Sequence, residues 1–173
     1  AGLPRTRRID IAVPPRLRAR GAALSSDGEW VYAITSEGGQ DEVVRFRADG
    51  QDVRETVTFD GDCRRWRFEL SPDGRYLAHS DAKGRLWLTD LKKGRTSQIA
   101  HTPVGDDSFP EVVFAPDSKR LAFTMTDKAR ARLFLHDIAQ QRTEQVSSDR
   151  FAAYSPAFSP DGRWLWFLSD RTF

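Results

Sequence analysis

The sequence has a single cysteine, Cys63, so no intramolecular disulfide can form. Packing and strand ladders must hold the fold, and a reducing, cytoplasmic setting is the expectation. No apolar run approaches the roughly 20 residues that a membrane-crossing helix needs, so no membrane is expected as a partner. The opening AGLPRTRRID lacks the apolar core of a secretory leader. A surplus of one charge is missing too: 27 Lys and Arg stand against 25 Asp and Glu, for a formal net charge of +2. A dedicated nucleic-acid binder concentrates basic charge, so nucleic acid is not an expected partner. Lysine is confined to Lys83, Lys92, Lys93, Lys119 and Lys128. The other cations are arginines, which suit bidentate carboxylate contacts.

Catalytic signatures are absent as well. There is no G-x-S-x-G nucleophile elbow and no Walker or dinucleotide glycine pattern. His79, His101 and His136 are the only histidines. Scattered as they are, they do not supply the about four converging ligands of a zinc site. His79 and Asp81 could be drawn as a base with its orienting acid, or as a metal pair. A histidine on a strand surface beside a turn aspartate is the simpler reading. The aspartate-bearing turns lack the alternating ligands and closing glutamate of a calcium loop. The sequence therefore predicts no cofactor, no metal and no catalytic residue within this chain.

What it does contain is a repeat. Hydrophobic residues make up 39% of the 173, with five Trp and eleven Phe, enough for a layered core. Four segments align: AALSSDGEWVYAIT from Ala22, FELSPDGRYLAHSD from Phe68, VFAPDSKRLAFTM from Val113 and AFSPDGRWLWFLSD from Ala157. Their shared aspartates, Asp27, Asp73, Asp117 and Asp161, are spaced 46, 44 and 44 residues apart. Each segment reads as a strand, a tight turn and a second strand of alternating polarity. In SPDG, Pro72 and Pro160 preset one backbone angle, Asp73 and Asp161 bond nearby N–H groups, and Gly74 and Gly162 take the positive φ. Ser118 replaces that glycine in the third copy, at a cost of about 1 kcal/mol.

A third strand follows in each unit (VVRFRADG from Val43, RLWLTDLKKG from Arg85, RLFLHDIAQQ from Arg132). A fourth, more polar one closes it (from Glu55, Thr96 and Thr143). Four short strands in about 44 residues is the pattern of a β-propeller blade. The fold class expected is all-β: four-stranded antiparallel blades in one propeller region over residues 1–173. Hairpins fall near residues 22–35, 68–81, 112–126 and 157–169, after an N-terminal strand or linker over 1–19. With about 3.5–4 blades the propeller is partial, unless RRIDIAV at residues 7–13 returns to the last blade. Its open edges predict pairing with a second copy.

The run FELSPDGRYLAHSDAKGRLWLTDLKKG, residues 68–94, and YSPAFSPDGRWLWFLSDRTF, residues 154–173, resemble the seven-bladed propeller of tricorn-type proteases. GRLWLTDL and the closing segment carry the resemblance, since SPDG also occurs in TolB-like and prolyl-oligopeptidase-type propellers. Ser26, Ala115 and Ser118 depart from the pattern. The resemblance implies a non-catalytic propeller that gates or channels unfolded peptides to a serine peptidase. The PDZ-like and peptidase modules of such a protein would lie outside this chain. A TolB-like interaction scaffold without peptidase activity is the alternative. A prolyl-oligopeptidase-type propeller would instead be followed by G-x-S-x-G.

Two stretches are candidate contacts. CRRWR, residues 63–67, enters a first strand, and first strands line a propeller channel. Alternation puts Arg65 and Arg67 on one face, where they could hold a peptide carboxylate, and Arg64 and Trp66 on the other. Pairing with Asp60 and Asp62 is the structural alternative. Ser169, Asp170 and Arg171 are expected to form a salt bridge between blades. Trp30, Trp87, Trp164 and Trp166 are expected to pack between blades.

Overall fold

In each blade the first strand joins the second through a turn whose chemistry can be followed atom by atom. In the second repeat the Ser71 hydroxyl donates to Asp73 Oδ1 (2.6 Å) and accepts the Tyr76 N–H (2.8 Å). The same Oδ1 accepts the Arg75 N–H at 3.0 Å. Ser25 with Asp27 and Ser159 with Asp161 repeat this arrangement. Gly74 sits at φ 68°. Ser118, at the matching place, adopts φ 58°, so the left-handed position is kept without the glycine.

In the computed structural model, the described residues are 19–51, 53–57, 64–103, 109–127 and 130–171. The N-terminal stretch, with residues 7–13, and Asp60, Asp62 and Cys63 lie outside them. The first sheet is β1 (Ala19–Leu24), β2 (Trp30–Thr35), β3 (Glu42–Arg47) and β4 (Arg54–Thr56). The second is β5 (Arg65–Leu70), β6 (Tyr76–Asp81), β7 (Arg85–Asp90) and β8 (Arg95–His101). The third is β9 (Val112–Phe114), β10 (Arg120–Asp127), β11 (Arg130–Asp137) and β12 (Arg142–Gln145). A fourth holds β13 (Ala153–Phe158) and β14 (Leu165–Ser169). Strands pair antiparallel in chain order within each sheet, and no helix occurs among the described residues.

Successive sheets stack face to face. Tyr32, Ile34 and Val43 of the first meet Leu77, Phe68 and Leu70 of the second. Ala78 and Leu88 meet Leu121, and Ala122 and Leu133 meet Ala153 and Leu165. Leu77, Leu86, Leu121 and Leu133 are fully buried, each worth about 1.5–3 kcal/mol of transfer free energy. The first strands β1, β5, β9 and β13 touch one another in sequence, which puts them innermost. Main-chain latches recur at the third-to-fourth strand turns: Ala48, Leu91 and Ile138 donate N–H to Glu29, Arg75 and Lys119 carbonyls. Between the second and third sheets, Asp73 N–H donates to Ser118 Oγ at 3.0 Å and the Thr143 hydroxyl donates to Ile99 O.

Three expectations change. Trp164 and Trp166 are 63% and 58% exposed: the fourth sheet has two strands, and no described residue covers the outer face of β14. Asp170 accepts the Ala152 N–H and Arg171 lies over Phe151, contacts made within the fourth blade. His79 is a core residue, 1% exposed.

Candidate functional site

The first strands are not regular. Arg65 pairs with Asp81 and Arg67 with Ser80, so two steps along β5 match one along β6. β1 and β13 carry a bulge at the corresponding place, with Gly21 at φ 62° and Ser155 at φ 54°. An extra residue inverts the alternation beyond it. Arg65 therefore faces the first blade and Arg67 the third, and the two guanidinium groups do not share a face.

Arg65 is 1% exposed. Its Nε donates to the Asp41 carbonyl (2.9 Å), its N–H to Asp41 Oδ2 (3.0 Å), and its Nη1 to His79 Nδ1 (2.9 Å). Because a guanidinium only donates, His79 accepts at Nδ1 and carries its proton on Nε2. Burial, helped by the Arg65 charge, pushes the His79 pKa from 6.5 to about 3, so the ring is neutral. It stacks on Trp87 with centroids 6.5 Å apart. Burial by itself would raise the Asp81 carboxyl. Hydrogen bonds from Trp87 Nε1, Arg85 and the 83 and 85 N–H groups outweigh it and hold the carboxyl below its usual value. Asp81 thus organises its own turn, while His79 Nδ1 is turned to Arg65.

The third blade holds the apolar counterpart. Phe109 and Phe123 stand as far from Asp117 as Arg65 and His79 do from Asp73. Phe109, Phe123 and Phe134 stack edge-on at 5.8 Å and then face-on at 5.5 Å. The second blade places arginine, histidine and tryptophan where the third has an aromatic column. The sequence alone hid this, because equal offsets do not record which side chains become buried together.

On the other face of β5 lies a cleft of about 360 Å³, lined by Arg67, Glu69, Ser80, Glu111, Val113 and Pro156 among others. Arg67 Nη1 donates across it to the Pro110 carbonyl. Glu111 reaches the other way, with both carboxylate oxygens 2.8 Å from the Ser155 N–H and Oε2 3.2 Å from the Thr124 hydroxyl. At one repeat position, then, a cation meets an adjoining blade's carbonyl and an anion meets an adjoining blade's N–H. The surrounding chain desolvates Glu69 and raises its carboxyl. Sequence reading found Arg67 but missed Glu69, Ser80 and Glu111, which lie apart in sequence and meet only when blades stack. Among the described residues, no group of three or more His, Cys, Asp or Glu is arranged to hold a metal ion.

Stacked four-stranded antiparallel sheets with their first strands innermost define β-propeller blades. No family model matches the chain. It is 31% identical over 172 residues to tricorn protease homolog 1 of Streptomyces coelicolor, covering 94% of this chain and 16% of that protein. It is 30% identical over 171 residues to the protein TolB homolog of Chlorobium chlorochromatii, covering 90% of this chain and 37% of that one. The crystal structure of the tricorn protease superposes on it with a TM-score of 0.77 at 17% identity, over 91% of this chain and 16% of that one. The chain is a β-propeller segment, similar to the propellers of tricorn-type proteases and of TolB-like proteins, and it spans well under half the length of these relatives.

Proposed function

We propose that this chain is the non-catalytic propeller portion of a tricorn-like serine peptidase, gating or channelling peptide substrates to catalytic and PDZ-like modules of a longer protein. One observation carries the reading: the inner strands β5, β9 and β13 of three successive blades converge on a single cleft, with apolar walls and a small set of polar groups that includes Arg67, Glu69, Ser80 and Glu111. That is the make-up of a site for extended peptide. Arg67 lines the cleft and meets substrate. Arg65 positions β5 behind it. In the longer protein, Arg67→Ala should lower kcat/KM for peptides about threefold or more without moving Tm. Unchanged kinetics towards acidic and neutral peptides alike would retire the role of Arg67.

The 30% identity to a TolB homolog favours a second reading, a protein-interaction scaffold without peptidase activity. A longer protein that binds unfolded polypeptide and leaves it intact would decide for the scaffold. We also propose that the open fourth sheet pairs with a second copy of the chain. A cytoplasmic location is part of the proposal.

A further inference from the structure

Among the described residues, the inner cleft carries one more negative than positive charge. Arg67 contributes one positive charge, while Glu69 and Glu111 contribute two negative ones. The donors on Glu111 are neutral: the Ser155 N–H and hydroxyl, and the Thr124 hydroxyl. Glu69 has no hydrogen bond or ion pair among the described residues, and burial alone acts on its carboxyl. Ser80 adds a second and independent signal. It is 1% exposed, lines the cleft, and its hydroxyl has no hydrogen-bond partner among the described residues.

The repeat explains why Ser80 is left over. Thr124 occupies the same place in the third blade, and its hydroxyl bonds Glu111 of its own blade at 3.2 Å. In the second blade the corresponding side chain is Arg67, which turns to Pro110 of the next blade instead. A buried hydroxyl without a partner costs about 1–3 kcal/mol, and a ligand atom in the cleft recovers it.

We infer that the cleft is a subsite for a basic side chain of an extended peptide, with a lysine or arginine head on Glu69 and Ser80 and its aliphatic stem along Val113 and Pro156. The inference rests on the peptide-channel reading and adds the class of residue selected. A lysine ammonium donates to both the carboxylate and the hydroxyl. A glutamate in its place would meet the excess negative charge.

The test uses the 173-residue chain and blocked peptides, N-acetylated and C-amidated, with a central lysine, norleucine or glutamate between valines. Titration calorimetry at low salt should give an order lysine, then norleucine, then glutamate, with about a tenfold preference for lysine over norleucine. Glu69→Gln should erase that preference and leave Tm unchanged. Ser80→Ala should weaken the lysine peptide a few-fold while holding or raising Tm, because it removes an unpaired polar group. Equal affinity for lysine and norleucine, or a lysine preference that survives in Glu69→Gln, would overturn the basic subsite and leave the channel standing. Failure of all three peptides to bind would overturn the channel reading and the subsite with it.

Discussion

Ser118 shows how a single residue departs from a pattern and compensates. Its left-handed backbone, at φ 58°, costs about 1 kcal/mol relative to glycine. Its hydroxyl accepts the Asp73 N–H from the neighbouring blade, a bond worth about 1 kcal/mol. Ser118→Gly should therefore leave stability within about 0.5 kcal/mol of the parent, and Ser118→Ala should lose about 1 kcal/mol. Urea unfolding separates the two, and a clearly stabilised glycine variant would mean the bond contributes nothing. Gly74→Val should be the harsher change. Its Cβ would meet only Ser26 Oγ, at 3.5 Å, so the cost is conformational and exceeds about 1–2 kcal/mol.

His79 gives the fold a pH dependence. Its folded pKa lies below the unfolded value of 6.5, so unfolding takes up a proton. The stabilisation is complete above about pH 6.5 and is lost as pH falls, by up to about 1.4 kcal/mol per unit. Buried His136 is shifted in the same direction. Asp73 and Asp81, held below 3.8, lose their contribution only in more acid solution. Between about pH 7.5 and 5.5 the melting temperature of the parent should drop more than that of His79→Phe. Parallel slopes would show that His79 titrates as it does in water. His79 was legible as a strand residue. Its burial was not, because nothing local records that Arg65 and Trp87 close over it.

At the level of the hairpin, repeats predict one another. Ser25, Ser71 and Ser159 each join a turn aspartate to the strand that follows, and Ala115 stands in their place in the third blade. The Ala115 N–H still donates to Arg120 O at 2.8 Å, so the hairpin closes without the hydroxyl. Ala115→Ser should restore the missing pair of bonds and stabilise by about 0.5–1 kcal/mol. A loss of stability on chemical unfolding would mean that the buried site has no room for an oxygen. The strands themselves were readable from alternation and turn residues, which are local. The bulges in β1, β5 and β13 were not. One extra residue looks like any other in a sequence, yet it sent Arg65 and Arg67 to opposite faces.

For the molecule as a whole, the unfinished sheet is the main consequence. Leu165 packs against the third blade, whereas Trp166 and Leu168 point outward and are each 58% exposed. An apolar face beside an unpaired strand edge favours association. Sedimentation velocity should show concentration-dependent dimers that Trp166→Lys abolishes. A clean monomer at low micromolar concentration would count against pairing between copies.

Period, turn type and strand alternation were settled by the chain's own chemistry, because each depends on residues within a few positions of one another. That is why four aspartate-marked hairpins could be recognised as propeller blades before any coordinates. Stacking decided the rest: which face each arginine takes, that a histidine is neutral and enclosed, and that Glu69, Ser80 and Glu111 share one cleft. Those outcomes depend on contacts between blades some 44 residues apart, and on a change of parity within a strand that no local pattern announces.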